Sequence, residues 1–536
     1  MHNTAPFVSS IKKHPAQHES HAKHLSTSIT ILLWATLVAV LMAWNADGLT
    51  PTSLSRIMTA LTPGENGCVI PLLTEETLMH PSADGITVTF VPGAAGTFAI
   101  AYGPSANPKL YRTVTKTASA KSQVAFRLDH LQSNHDYTYQ VFCKETESAA
   151  RLAPRPEQNF KTPPPSGQPL TFGYVTDLHF YSHWTDAIFK NLPWGLDIAE
   201  KTFENLTQHN LSFFVLGGDH ANTHCPNCPG GTLNGITYEP DHALTAAQAE
   251  LRYQVMLSPE YLGKVTKTLP FVYVLGNHEG ETNPTINECG HSTANTLSSF
   301  TARQTYFANP YATFGGNPEG SYYSFETGDA LIVVIDVMRY IPELPTSPED
   351  WTLGTEQLVW LEDVLKNSDK KWKFIFGEHL DGGEKPNDSC YYYGRTSLRA
   401  TDNNLLTGIF KGEQAEIQTL METNVTPGGA TFFMSGHDHV AMSPTEKLNA
   451  DETGTGVFYV TGGKGAGKST PAWTDIEAFR EEMDWNYDNI PDYETPELGS
   501  EQAGFFKITI DGIRGVRFDY IGSSSINPGE NNVTLF

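Results

Sequence analysis

Positive charge is scarce in this sequence. Lys and Arg number 35 against 60 Asp and Glu, a formal net charge of −25. That shortage excludes a protein built to coat a nucleic-acid polymer. Neutralising phosphates needs a basic face, and an acidic field repels the strand. Cysteine is sparse too, with Cys68, Cys143, Cys225, Cys228, Cys289 and Cys390 as the whole complement. Cys225-Pro-Asn-Cys228 has zinc-ligand spacing, but no second such pair completes a four-ligand site. The cysteines fit disulfides in an oxidising compartment, and the sequence does not choose among the pairings. Solenoid-type repeats are absent. With 45 glycines and 34 prolines, a coiled coil or long-helix protein is excluded. What remains is ample: 39% apolar and 11% aromatic residues can bury sizeable cores, so wholesale disorder is excluded. At 536 residues, roughly 150 per domain suggests three to four units.

Only one long uncharged apolar run exists, Ile29 to Trp44. Lys12, Lys13 and Lys23 precede it against Glu19 alone, so residues 1–46 carry +2 and the remainder −27, since −25 − 2 = −27. This asymmetry fits the positive-inside rule, with the bulk of the chain translocated. The sequence Ala43-Trp44-Asn45-Ala46 is a poor small-x-small cleavage site, which favours an uncleaved anchor over a secretory signal. The expected organisation is a basic tail (1–27), a signal-anchor or signal peptide (28–46) and a linker (47–80). A β-sandwich (81–162), an α/β domain (168–523) and a tail (524–536) follow.

Residues 86–91, 97–102, 123–128 and 137–143 are short β-type runs separated by polar or Gly/Pro turns, the pattern of a β-sandwich. Lys161-Thr-Pro-Pro-Pro-Ser-Gly-Gln168 reads as a stiff, exposed linker. Beyond it, strands alternate with helical patterns such as 355–367, which sets Leu358, Leu361, Val364 and Leu365 on one face. Weaker helical patterns cover 244–257 and 413–422. This is an α/β layered arrangement, and further strands at 330–337, 456–461, 504–510 and 514–520 imply two stacked sheets.

The apolar strands end in ligand-type residues. Asp177 and His179 follow the first and face one way at i, i+2 spacing. Gly217-Gly218-Asp219-His220, Gly276-Asn277-His278-Glu279, Gly377-Glu378-His379 and Gly436-His437-Asp438-His439 follow the others. One histidine at a strand end is usually structural. Five such ends, all oxygen and nitrogen donors without a thiolate, suit two divalent or trivalent ions at the edge where α/β sheets bind ligands.

The ordered set D-x-H, G-D, G-N-H-E, H, G-H-x-H over residues 171–440 resembles the calcineurin-like metallophosphoesterases. The preceding sandwich, with Tyr137-x-Tyr139-x-Val141 and Phe160-x-Thr162-Pro163, resembles the fibronectin-type domain of purple acid phosphatases. The fold class the resemblance implies is α/β. A two-sheet metallophosphoesterase sandwich is preceded by a fibronectin III-like all-β sandwich and an N-terminal apolar helix. It also implies that Asp177, His179 and His439 hold one metal, that Asn277, His379 and His437 hold the other, and that Asp219 bridges. The ions, Zn, Fe or Mn, would lie about 3.5–4 Å apart, clamp the phosphoryl group and activate a water. His278 resembles the acid that serves the leaving oxygen, and Glu279 either orients His278 or makes a turn contact. The family pattern differs at two places: purple acid phosphatases have glycine at the position of His179 and a ligand tyrosine at that of Asn222. An iron(III)-requiring centre is therefore not expected.

The implied activity is hydrolysis of phosphate esters outside the cytoplasm, in the manner of an acid phosphatase acting on monoesters. A phosphodiesterase for nucleotides or phospholipid head groups, or a noncatalytic surface binding protein on the same fold, are the alternatives. His220 and Arg395 are candidate substrate contacts. Gly462-Gly-Lys-Gly-Ala-Gly-Lys-Ser469 matches the P-loop pattern, but Pro471 closely follows and no helix opens there. It reads instead as the Gly-rich loop of the same family. Residues 475–501 hold ten acids with Arg480 the only base, a solvated surface segment. The expected partners are a phosphate-ester substrate and a membrane through residues 28–46, with no nucleic-acid polymer. The oligomeric state is left open.

Overall fold

The structure is a computed structural model. It describes residues 68, 70–106, 111–112, 115–144, 153–179, 196–221, 223, 231–233, 236–238, 245–259, 261–281, 293–337, 352–378, 413–436, 441–448, 453–463, 465, 503–512, 514–523 and 530–535. The expected apolar helix over residues 28–46 lies outside these. Among the described residues no helix is long and apolar enough to cross a membrane.

Two sheets form the catalytic layers. In the first, Leu170–Val175, Phe213–Leu216 and Phe271–Tyr273 are parallel neighbours, and Gly504–Ile510 pairs antiparallel with Leu170–Val175. In the second, Ala330–Val334, Trp372–Phe376, Ala430–Ser435 and Gly454–Thr461 run parallel, flanked by antiparallel Tyr323–Thr327 and Met442–Leu448. The strand sequences are continuous apolar runs because both faces are covered. Between the sheets lies an aromatic core. Phe172 stacks on Phe213 at 5.0 Å within one sheet and meets Phe374 of the other edge-on at 5.2 Å.

Helices cover the outer faces. Leu196–Gln208, Ala246–Met256 and Thr293–Tyr306 pack Phe203, Leu206, Tyr253 and Tyr306 on the first sheet. Thr355–Asn367 and Glu413–Thr423 pack Leu361, Leu365, Ile417 and Met421 on the second. Ala246–Met256 starts at a reciprocal cap, in which the Thr245 N–H donates to Gln248 Oε1 and the Gln248 N–H donates to Thr245 Oγ1. The expected two-sheet α/β sandwich, preceded by an all-β sandwich, is therefore present.

The boundaries differ from the sequence reading at three points. The stretch 47–80 is not linker throughout: Ile70 and Leu72 are buried, and Thr77–Ser82 is a strand. That strand pairs antiparallel with Gly85–Phe90 on one side and parallel with Phe271–Tyr273, at Met79 and Phe271, on the other. One nine-stranded sheet thus runs from the catalytic layer into the N-terminal sandwich. The polar run Thr74-Glu75-Glu76 before it hid this strand. Cys68 is bonded to Cys143, which secures the start of this segment to the second sandwich sheet. The other four cysteines lie outside the described residues. Second, Thr162, Pro163 and Pro164 of the expected exposed linker are buried. Third, Glu530–Leu535, expected as a tail, is the edge strand beside Val516–Gly522.

Candidate metal centre

The strand ends converge where the two sheets meet. Leu170–Val175 leads into Thr176, Asp177 and His179, and Phe213–Leu216 leads into Gly217, Gly218 and Asp219. The two turns are stitched by backbone bonds, from Asp177 N–H to Gly218 O at 3.1 Å and from His179 N–H to Asp219 O at 2.9 Å. Asp177, His179 and Asp219 all hold left-handed backbone, with φ of 53°, 45° and 52°. Non-glycine residues avoid that region unless the surroundings impose it, and such strain concentrates at functional sites.

Asp177, Asp219 and Glu378 are buried, and each offers a carboxylate oxygen within 4.8 Å of the others. His179 Nε2 lies 3.6 Å from Asp177 Oδ1 and 3.8 Å from Asp219 Oδ2. His278 Nε2 lies 3.8 Å from the same Asp219 Oδ2, and its ring meets that of His179 edge-on at 4.7 Å. Asp219 therefore stands between two imidazoles. The His278 side chain is the more open of the two, 15% exposed against 5% for His179.

Burial dominates the electrostatics. It holds the Asp219 carboxyl well above the usual carboxylate range, and the neighbouring Glu279 and Asp177 push it the same way. Glu378 is raised well above its ordinary value by burial first, then by Asp177 and Asp219. Several buried carboxylates facing one another are unfavourable unless a cation joins them. Oxygen and imidazole donors without thiolate are the chemistry of hard-to-borderline ions, so the residues present fit metal ions. Asp177, His179, Asp219 and Glu378 are the described candidates to hold them, with His278 beside Asp219. Asn277 lies in the 3₁₀ turn Asn277–Glu279. His379, His437, His439 and Arg395 fall outside the described residues.

Two candidates serve the turns. Glu279, expected either to orient His278 or to make a turn contact, makes the turn contact as a fully buried clamp. Its Oε2 accepts the N–H groups of Asp219 at 2.9 Å and Gly276 at 2.7 Å, while Oε1 accepts those of His220 at 2.6 Å and Ala221 at 3.2 Å. Burial raises its carboxyl to about 7 against the pull of those bonds. His220, expected to touch substrate, is also fully buried. Its Nε2 accepts the Gly218 N–H at 2.8 Å, and burial lowers its pKa to about 3, so it braces the turn as a neutral ring.

Glu378 was visible at a strand end but carried no expected role; its signal was an acid directly after the apolar run Trp372–Phe376 and one glycine. Two glycines of the P-loop-like run, Gly462 and Gly465, are spent on packing. Gly462 N–H donates to Ser435 O and Gly465 N–H to Thr176 O, both at 2.7 Å, so these amides are not available to cradle a nucleotide. A Cβ at Gly465 would stand 2.6 Å from Val175 Cγ2, which explains glycine there.

The family model described as calcineurin-like phosphoesterase matches residues 170–441. The chain belongs to the calcineurin-like phosphoesterase family. The protein is a metallophosphoesterase, which hydrolyses phosphate esters with divalent metal ions. Among solved structures it is similar to one titled as PhoD, at 16% identity and a TM-score of 0.59, covering 86% of this chain and 88% of that one. It is also similar to the purple acid phosphatase PPD1 from yellow lupin (Lupinus luteus) seeds, at 15% identity and a TM-score of 0.54, covering 86% and 73%. At such identities the likeness shows the fold, including the arrangement of a sandwich before the phosphoesterase layers. No curated protein matches the chain.

Proposed function

We propose that this phosphoesterase hydrolyses phosphate monoesters outside the cytoplasm. The observation that supports the monoester reading is the arrangement of an all-β sandwich fused to the catalytic sheet, similar across 86% of the chain to a purple acid phosphatase. When bound, the metal ions supply Lewis-acid polarisation of the phosphoryl group and activation of water. The chain's own residues do the rest. Asp219 sits between the two histidines and receives the His278 backbone N–H on Oδ1 at 2.7 Å, which sets the direction of its other oxygen. His278, the accessible imidazole, holds a proton for the leaving ester oxygen. Glu279 keeps both turns at the spacing this needs. Zn, Fe or Mn suits the donors.

Three features support a location beyond the membrane. They are the uncharged run 29–44, the basic residues before it and the buried Cys68–Cys143 disulfide, which persists in oxidising compartments. Residues 28–46 then serve as the membrane anchor.

A phosphodiesterase is the second reading, favoured by His179 and by the absence of a tyrosine at Asn222. Comparing kcat/KM on 4-nitrophenyl phosphate and bis(4-nitrophenyl) phosphate, with Mn²⁺ or Zn²⁺ supplied, separates them. Monoester preference is expected. Diester preference would replace the first reading with the second, and metal bound without turnover of either ester would favour a binding role.

A further inference from the structure

We propose that Glu378 is a metal ligand additional to the Asp, Asn and His set that the family resemblance implies. The inference rests on the phosphoesterase reading of this site. Glu378 is fully buried directly beyond the strand Trp372–Phe376. One of its oxygens lies within 4.8 Å of oxygens of both Asp177 and Asp219. Its Oε2 accepts the Thr176 hydroxyl at 3.4 Å, while the same hydroxyl donates to Asp177 Oδ2 at the shorter 2.9 Å. Its Oε1 meets no hydrogen-bond donor among the described residues.

A brace and a ligand make different demands. A buried carboxylate acting as a brace gathers donors, as Glu279 does with four backbone N–H groups. Among the described residues, the Glu378 side chain has one long bond from a shared hydroxyl and two carboxylates for neighbours. Burying such a group without partners is costly, and a cation supplies what the donors do not. The surroundings are shaped for it. A Cβ at Gly218 would collide with the Glu378 carboxylate, and one at Gly436 would stand 2.9 Å from Oε2. Glycine in both turns thus leaves a slot for this side chain beside Asp219. A third carboxylate adds hard oxygen to the donor set, which tilts it towards manganese relative to zinc.

The test uses the full-length protein stripped with a chelator, titrated calorimetrically with Mn²⁺ and separately with Zn²⁺. Glu378→Gln keeps the shape and removes the charge. It is expected to weaken Mn²⁺ binding by about 10- to 100-fold, the range for metal-site partners, and Zn²⁺ binding less. Wild-type Mn²⁺ affinity in Glu378→Gln would overturn the proposal. If that variant does not fold, Glu378→Asp, which draws the carboxylate back by one methylene, is titrated instead; unchanged Mn²⁺ affinity there would overturn it equally. Asp219→Asn runs in parallel. Loss of binding in Asp219→Asn with retention in Glu378→Gln sinks only the Glu378 assignment. Unchanged binding in both sinks the metal-centre reading itself.

Discussion

The Glu279 carboxylate accepts the backbone N–H of Asp219 at 2.9 Å, so the residue between the two histidines is held from behind by a side chain sixty positions later in sequence. Glu279→Gln places an amide group against two of the four N–H donors, whichever way the amide turns. Leaving buried donors opposed costs about 2–4 kcal/mol. The urea midpoint of the variant is expected to fall accordingly, and its metal occupancy with it. A midpoint equal to the parent's would remove Glu279 from the clamp.

Gly218 and Gly167 both have positive φ, of 123° and 81°, but their surroundings differ. Nothing lies within 4 Å of a Cβ at Gly167, so Gly167→Ala is expected to cost only backbone strain, about 1–2 kcal/mol. At Gly218 the new methyl meets the Glu378 carboxylate as well. Gly218→Ala is expected to cost at least about 3 kcal/mol and to lower metal affinity. Equal costs at the two positions, measured by urea unfolding, would contradict the crowding described around Glu378.

Cys68 and Cys143 close a loop with a sequence separation of 75. Cross-linking a loop of that length removes chain entropy from the unfolded state, and losing it typically costs about 2–4 kcal/mol. Replacing both cysteines by serine is expected to lower the melting temperature of the sandwich while leaving the ester preference unchanged. A changed ester preference would show that the segment beginning at Cys68 shapes the site.

His80 contributes to the pH dependence, as does the equally lowered His220. It is buried in the strand Thr77–Ser82, with its ring edge-on to Phe314 and Nδ1 3.3 Å from Thr87 Oγ1. Burial, with a smaller contribution from Arg127, lowers its pKa from 6.5 to about 3. Between pH 6.5 and 3 the unfolded chain therefore binds a proton that the folded chain refuses. Stability falls as pH drops through that window, by about 2 kcal/mol at pH 5 from this residue. His80→Gln is expected to flatten the decline in melting temperature between pH 7 and pH 5. An unchanged slope would show that His80 takes up its proton without unfolding.

The ligand-bearing strand ends were legible in the sequence because buried parallel strands are apolar throughout, so a polar residue at their ends stands out. Asp177, His179, Asp219 and His278 meet where that pattern placed them. The continuity of the two units was not legible: Thr77–Ser82 contains His80 and Pro81 and follows two acids, and its pairing with Phe271–Tyr273 is a long-range choice that local pattern does not encode. Helix Thr293–Tyr306 was missed because Thr, Ser, Asn and Gln dilute its apolar periodicity, whereas Leu196–Gln208 carries a clear helical spacing at Ala199, Phe203 and Leu206 that the sequence reading overlooked. The roles of Glu279 and His220 depend on which backbone N–H groups surround a side chain, and spacing does not carry that information.

The measurement that tests the account most directly is hydrolysis of the two nitrophenyl esters by full-length protein, before and after chelation, with Asp219→Asn beside it. The account predicts that chelation abolishes turnover, that returning about two ions per chain restores it, and that Asp219→Asn stays inactive with metal supplied. Turnover that survives chelation, or that persists in Asp219→Asn, would contradict it.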